Sequence, residues 1–343
     1  MTIQQSLRLG VIGTGLKAAE YAQSWISMPQ VAFVAVSDVN AASRRKFLDV
    51  CRNAGRPEPR EFDDFRAMLA ACRNDLDAVY VSTPHALHAE QGIAVVESGL
   101  DLLIEKPMVT TVDEAQRLMV ARDQSGSTVV VAFQGALSPL VANTRKRARA
   151  GEFGELMSVS GTIWENWSSR YQGHWKQQMQ LSGGGFMFDT GAHMMNTICL
   201  LADVDCKRVS AFMNNWQRSV DVVCAVAGRL ASGALLTLHA AGDGPSVCAS
   251  HIMLFYTLAI IRIDAWGAWR EIAAAGIPGS REEAEIMDNP LKSFLAIRAG
   301  NAENLSNVEA GLRFARLWDA IKASSARDGE PVSVELGATT PGL

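Results

Sequence analysis

The segment Leu9-Gly10-Val11-Ile12-Gly13-Thr14-Gly15-Leu16-Lys17-Ala18 constrains this chain more than any other. An apolar run, Leu7–Ile12, leads into a G-x-G-x-x-A turn, and a helical pattern follows. Gly13 permits the tight turn, Gly15 lets backbone approach a pyrophosphate, and Ala18 is small enough for the helix to pack closely on the strand. The helix N-terminus supplies unpaired N–H groups to the phosphates. A glycine turn alone is a weak signal, since such turns are often purely structural. Its context strengthens it: Asp38 ends the next apolar run, where a carboxylate accepts the adenosine ribose hydroxyls. The competing role for Asp38 is a helix N-cap. The carboxylate repels a 2′-phosphate, which favours NAD over NADP. Arg44 and Arg45 follow closely and could reach such a phosphate, but they fit an exposed helix face.

The pattern around that turn extends through the first part of the chain. Leu7–Ile12, Val31–Ser37, Ala78–Ser82, Asp101–Ile104 and Thr128–Phe133 read as strands buried on both faces. Amphipathic stretches alternate with them: Ala18–Met28, Ala41–Ala54, Asp63–Ala71, Leu87–Ser98 and Val112–Ser125. Strand alternating with helix implies a doubly wound parallel sheet, a Rossmann domain over residues 1–135. Beyond it the pattern changes. Met157–Trp164, Lys207–Trp216, Val220–Leu230, Ala234–Gly242, Val247–Tyr256 and Ala259–Trp266 read as strands, with a hairpin turn at Arg229–Gly233. Helical patterns recur at Phe186–Leu201, Pro290–Ala299 and Asn307–Ser325. Residues 136–343 are therefore expected to form an α+β domain with a large, mostly antiparallel open sheet. The tail after Ala338 is expected to fray.

Bulk properties exclude several classes. The formal net charge of 343 residues is -4, so no basic field is available for nucleic acid or an anionic membrane. The densest basic cluster, Arg145-Lys146-Arg147 with Arg149, fits a solvated helix face. The longest apolar run, Ile252–Ile261, is about half the length of a membrane-spanning helix and reads as a core strand. None of the six cysteines forms a C-x-x-C pair, and no metal-ligand spacing appears. Reduced thiols and the lack of an apolar leader over Met1–Leu9 suggest a cytoplasmic protein.

Three further segments carry chemistry. Ser82-Thr83-Pro84-His85 with His88 follows the strand Ala78–Ser82, and Glu105-Lys106-Pro107 ends the next strand. Gly183-Gly184-Gly185 opens a helix bearing Asp189 and His193. Together with Gly151-Glu152-Phe153-Gly154-Glu155 and the stretch from Phe294 to Val334, they resemble the Gfo/Idh/MocA family over nearly the whole chain. The resemblance implies hydride transfer between a nicotinamide ring and a carbinol carbon of a sugar, polyol or related cyclic substrate. It implies Lys106, Asp189 and His193 as catalytic residues, and a cis Lys106–Pro107 bond. It places Gly13, Thr14, Gly15, Leu16, Asp38, Ser82, Thr83, Pro84, His85, His88, Glu105 and Lys106 around the cofactor. The family's usual T-P-N is Thr83-Pro84-His85 here, and Gln134-Gly135-Ala136-Leu137 lacks the bulky basic residues often found at that point.

The residues make chemical sense by themselves. Oxidising a secondary alcohol needs a proton acceptor and a positive group for the developing alkoxide. Lys106 supplies the charge. Asp189 and His193, an i, i+4 pair, share a helix face, so His193 can take the proton while Asp189 holds its ring. Separately, such a lysine is usually a surface charge and such a pair a surface hydrogen bond. Trp164, Trp167 and Trp175 offer aromatic faces to a sugar ring, in company with Lys106, Asp189 and His193; an aromatic cluster packed under a loop is the equal alternative. An NADPH-preferring keto-sugar reductase and a non-catalytic dinucleotide-binding regulator are the rival functions. Strands such as Val220–Val226 and Leu235–Leu238, apolar on both alternations, predict burial on both sides and hence a homodimer or homotetramer.

Overall fold

The computed structural model describes residues 6–244, 247–284 and 289–334. The tail after Ala338 lies outside them. Two compact units emerge, neither continuous in sequence. The first holds described residues 6–109, 113–132 and 289–309; the second holds 110–112, most of 133–284, and 310–334. Where the sequence suggests a single cut at residue 135, the second unit begins its main segment at Phe133, and the chain later returns to the first unit.

The first unit runs β1 (Leu7–Ile12), α1 (Leu16–Trp25), β2 (Val31–Ser37), α2 (Ala41–Asn53), β3 (Arg60–Phe62), α3 (Phe65–Cys72), β4 (Ala78–Val81), α4 (His88–Glu97), β5 (Asp101–Ile104), α5 (Val112–Ser125) and β6 (Val129–Val131). The strands form one parallel sheet in the order β3-β2-β1-β4-β5-β6. The chain reverses direction across the sheet between β1 and β4, the switch point where such folds bind ligands beyond the carboxyl ends of the strands. The continuously apolar segments are the central strands: Leu9, Val11, Val79, Leu102 and Val130 are all buried. β3 escapes sequence reading because Arg60, Glu61 and Phe62 form no apolar run and sit at a half-exposed sheet edge. Asn40 and Asp64 cap α2 and α3 through their side chains.

The second unit contains α6 (Pro139–Arg149), β7 (Leu156–Trp164), α7 (Trp167–Arg170), α8 (Met179–Ser182), α9 (Phe186–Asp189), α10 (Gly191–Ala202) and β8 (Cys206–Asn214). It continues through β9 (Val223–Leu230), β10 (Leu235–Ala241), β11 (Ala249–Tyr256), β12 (Ala259–Ile263), β13 (Trp269–Ala274) and β14 (Ile277–Glu283). With a short β15 (Val332–Ser333), these strands form a nine-stranded sheet, β14-β13-β12-β11-β7-β10-β9-β8-β15, antiparallel except at β7–β10. The expected hairpin closes β9 onto β10, with Leu230 N–H on Ala234 O and Gly233 at φ 95. β13 and β14 lie in a charged stretch without clear apolar alternation, which hid them from the sequence.

α10 packs directly on β7. A Cβ added at Gly161 would lie 2.7 Å from Ile198 Cδ1 and 2.8 Å from Met194 Sδ, so the glycine lets these side chains of the helix sit against the strand. Among the described residues, no helix covers the outward face of β10. In β10, Leu236, Leu238 and Ala240 are buried, while Leu235, Thr237 and His239 are exposed. The expectation of burial on both sides is thus met on one side only within a single chain.

α11 (Pro290–Arg298) carries the chain back to the first unit, and α12 (Val308–Ser325) leads away again. Between them the backbone seals the open edge of β6. Val131 N–H donates to Ser306 O at 2.8 Å, Ser306 Oγ to Val131 O at 2.6 Å, and Asn304 Nδ2 to Val129 O at 2.8 Å. An uncovered edge strand would otherwise offer unpaired backbone groups to other chains.

Candidate active site

The dinucleotide half is built at the carboxyl ends of β1 and β2. Gly13 has φ +87, and a Cβ there would lie 2.6 Å from Ser82 O. No other residue type fits between the two adjacent strand ends. Gly15, by contrast, has nothing within 4 Å of where its Cβ would point. That open space lies beside the start of α1, whose N-cap is Gly15 and which has no side-chain cap. Its first N–H groups are therefore not engaged by a capping side chain, as a bound pyrophosphate requires. Leu16 and Val39 are 80% and 89% exposed at the ends of β1 and β2, large apolar side chains that a dinucleotide would cover. Asp38 Oδ2 accepts from Thr14 N–H at 2.8 Å and Thr14 Oγ1 at 3.2 Å, which fixes the carboxylate beside the glycine turn. Asn40, not Asp38, caps α2 with its side chain. Arg44 donates to the Asp38 backbone oxygen at 2.5 Å and lies 3.3 Å from Glu61, so its guanidinium is engaged rather than turned to solvent. These residues fit NAD.

The lysine turn sits at the end of β5 and is held on both sides. Tyr80, wholly buried in β4, donates from its hydroxyl to Glu105 Oε1 at 2.8 Å, and the Lys106 N–H lies 3.3 Å from Glu105 Oε2. Tyr80 is itself wedged against Trp25 and Tyr21, with ring centroids 4.9 and 6.2 Å away. On the other side, His88 places Nδ1 2.9 Å from Pro107 O and Nε2 2.9 Å from Thr83 O. The Lys106–Pro107 bond is cis, as the resemblance implies. His88 is fully buried, and burial pushes its pKa down while the two carbonyls pull it back. Its ring stands between two backbone carbonyls, and the single N–H of the neutral ring donates to one of them while the other nitrogen only packs nearby, which sets the Thr83-Pro84 turn beside the lysine turn. His85 is also buried, its ring 5.7 Å from that of His88. Among the described residues no group of three or more His, Cys, Asp and Glu side chains could hold a metal.

The second unit contributes Asp189 and His193. The expected single helix is two: α9 ends at Asp189, Thr190 links, and α10 begins at Gly191. Asp221, sequence-distant and unsuspected, fixes where α9 starts. Its Oδ1 accepts from Gly185 N–H at 2.8 Å, its Oδ2 from Met187 N–H at 3.4 Å, and its backbone oxygen from Phe186 N–H at 2.9 Å. A Cβ on Gly185 would sit 1.9 Å from Asp221 O, which explains the glycine. Burial holds the Asp221 carboxyl above the ordinary aspartate range, and these N–H groups partly offset that.

Asp189 is 1% exposed. Its Oδ2 accepts from Lys176 Nζ at 2.7 Å and from Trp167 Nε1 at 2.8 Å, two partners not anticipated for it. His193 lies in the first turn of α10, 7% exposed, with its ring 5.6 Å from Trp266. The three tryptophans expected to face substrate are dispersed. Trp167 is 0% exposed and packs between Tyr171 and Phe186, so it offers a donor to Asp189 and no face to a sugar. Trp164 stacks on His251 on the sheet face opposite α10, because strand alternation sends Ile163 inward and Trp164 outward. Trp175 lies beside Asp189's partner Lys176, whose Nζ is 6.0 Å from its ring centroid. Sequence reasoning could have found Lys176, the one cation within the His174-Trp175-Lys176 run of that aromatic segment, and Tyr80, a lone hydroxyl in an apolar strand. Asp221 carries no local signal.

Residues 7–133 match a family model described as "Oxidoreductase family, NAD-binding Rossmann fold", and residues 141–252 match the GFO/IDH/MocA C-terminal domain. The chain belongs to the Gfo/Idh/MocA oxidoreductase family. Its Rossmann unit is the family's NAD-binding domain. Among similar Gfo/Idh/MocA relatives are a 1-carboxy-3-chloro-3,4-dihydroxycyclohexa-1,5-diene dehydrogenase from Comamonas testosteroni and a levoglucosan dehydrogenase from Pseudarthrobacter phenanthrenivorans. The first is 25% identical over 61% of this chain and 51% of its own length, the second 26% identical over 62% and 55%. The chain thus spans about half the length of the curated relatives it matches. A solved levoglucosan dehydrogenase complex with NADH and levoglucosan shares the fold, with TM-score 0.84 at 21% identity, over 97% of this chain and 100% of that one.

Proposed function

We propose that the protein is an NAD-dependent dehydrogenase that oxidises a secondary alcohol of a sugar, polyol or related cyclic substrate. One observation carries this reading: Lys106 stands on a turn clamped through Glu105 and Pro107, at the carboxyl edge of the sheet where the dinucleotide fits. A cation so constrained can stabilise a developing alkoxide without reorganising. His193 is the acid–base group, and the N-terminus of α10 favours its neutral form. Asp189 is the buried carboxylate of the second unit. Bound NAD supplies the hydride acceptor. Leu16 and Val39 shield it, and Asp38 holds the adenosine ribose. The relatives named for levoglucosan and for a dihydroxycyclohexadiene support a hydroxylated ring as substrate. The pinning of Arg44 favours NAD over NADP.

A screen of sugars and polyols with NAD and NADP, following cofactor absorbance, tests this. Turnover with NAD on at least one cyclic polyol is expected. Faster turnover with NADP would turn the reading to the NADPH-preferring reductase, and no turnover with either cofactor would turn it to the non-catalytic regulator.

The open sheet face supports a homo-oligomer built by face-to-face packing. Leu235, Thr237 and His239 of β10 lie in register with Ser158, Ser160 and Thr162 of β7, a surface with little charge at its centre. Phe212 of β8, Leu235 of β10 and Ile260 of β12 are exposed large apolar side chains that alternate with buried neighbours, surface that a second copy would cover. Light scattering at micromolar concentration should give a mass of two or four chains, and a mass near 37.0 kDa would exclude this arrangement. A cytoplasmic location fits the six free cysteines. Among the described residues no helix is long and apolar enough to cross a membrane. Fractionation of the producing cells checks the location.

A further inference from the structure

A carboxylate 1% exposed is costly to keep charged unless it is paired and hydrogen-bonded. Asp189 meets both needs on one oxygen, from Lys176 Nζ at 2.7 Å and Trp167 Nε1 at 2.8 Å. Neither donor belongs to the helices that carry Asp189 and His193. Both come from the strap between β7 and the glycine loop, which holds α7, a single turn at Trp175–Gln177, and α8.

The strap is built to present that ammonium. Lys176 Nζ lies 4.4 Å from the Tyr171 ring centroid and 6.0 Å from that of Trp175, so two aromatic faces hold the cation from behind. The backbone turn is fixed by Gln177 Nε2 donating to Ser168 O at 2.6 Å, by the Ser219 hydroxyl on Gln177 O, and by Lys176 N–H on His174 Nδ1 at 3.4 Å. The lysine side chain is only 19% exposed.

A neighbouring pair makes the contrast. Glu165 accepts from Arg170 at 3.0 Å and from Thr190 Oγ1 at 3.1 Å, but Arg170 is 65% exposed. Solvent screens that cation, as it does most surface pairs. It does not screen Lys176 to the same degree. Among the charged and titratable groups near Asp189 are Lys176 on its oxygen, His174, which feels both charges, Tyr171 against the ammonium, and Glu165, which accepts from the neighbouring Thr190 hydroxyl.

We propose that Lys176 is the positioning residue of the Asp189 carboxylate: the strap, through Lys176 and Trp167, holds this carboxylate ionised and in one orientation for the chemistry at His193. This rests on the dehydrogenase reading only for its purpose; the pairing itself can be measured without a substrate.

The test uses the full chain labelled with ¹⁵N in its tryptophan indoles. The Trp167 indole N–H is bonded to Asp189 and reports its ionisation. Its resonance is the one whose acid titration disappears in Asp189→Asn. In Lys176→Met that titration should move upward by about one pH unit or more, a tenfold change in proton affinity. Lys176→Arg should restore much of the parent behaviour, because it returns the charge with altered geometry. Should Lys176→Met fail to fold, Lys176→Gln removes the charge while keeping a donor on the carboxylate, and the same upward shift is expected. In parallel, kcat on the best polyol should fall about tenfold or more with little change in KM and none in NAD affinity. An unchanged Trp167 titration in the charge-removing variant overturns the proposal. A parent protein that turns over no polyol, with the titration shift intact, overturns the dehydrogenase reading and leaves the role of Lys176 in fixing Asp189 standing.

Discussion

The two units hold their candidate site side chains by different physics. In the Rossmann unit, Lys106 is positioned indirectly. Neutral groups hold its neighbours: the Tyr80 hydroxyl on Glu105 and the His88 ring between two backbone carbonyls. In the second unit, Asp189 is held directly, by a buried cation and an indole N–H on one oxygen. The comparison teaches that a cation at a strand end and a buried anion face opposite problems. Lys106 must keep its charge available, so its support goes through adjacent backbone. Asp189 lies deep in the unit and must be neutralised to remain charged at all.

The largest expected effect comes from removing the cation. Lys106→Ala should lower kcat roughly 10²–10⁴-fold, the span usual for a positioned acid–base group, while NAD affinity changes little. Isothermal titration with NAD beside steady-state kinetics separates the two. Activity within a few-fold of the parent would take Lys106 out of the mechanism.

The anion half should behave as a unit. Asp189→Asn and His193→Ala should each be severe, and the double variant barely worse than either. Losses that simply add in the double-mutant cycle would mean the two side chains act separately and would break the parallel with the lysine turn.

Subtler changes probe the supports. Tyr80→Phe deletes a buried hydrogen bond to a carboxylate and should cost about 1.5–3 kcal/mol in urea unfolding, with kcat falling more than NAD affinity. Equal loss in kcat and in NAD binding would show that Glu105 serves the cofactor rather than the lysine turn. Asp38→Ala should weaken NAD about tenfold, near 1.4 kcal/mol, and narrow the gap to NADP. A parent that already binds NADP better defeats the argument from Asp38.

The smallest effect is a slope. His88 has a pKa depressed by burial, so the unfolded chain binds its proton more readily than the folded one. Its contribution to stability is therefore present above the ordinary value of 6.5 and is lost as pH falls below it. Unfolding free energy measured from pH 7 to pH 5 should fall less steeply in His88→Gln than in the parent. Identical slopes would mean that the two carbonyls cancel the burial and leave the ring free to charge in place.

What the sequence determined by itself is local and periodic. Continuous apolar runs fixed β1, β2, β4 and β5, because strands buried on both faces tolerate little else. The glycine turn followed by Asp38 pointed to a dinucleotide, since the spacing of Gly13, Gly15 and Ala18 after an apolar run is itself a local pattern. Glu105-Lys106-Pro107 was legible through the family resemblance that its motif carries. Tertiary structure decided everything that depends on residues far apart in the chain. It assigned Asp189 to Lys176 and Trp167, brought Asp221 to the glycine loop, turned Trp164 to the open sheet face, and returned residues 289–309 to seal β6. The physical reason is that a buried polar group demands a partner without specifying where in the sequence it comes from, so its need is legible in the chain and its partner only in the fold.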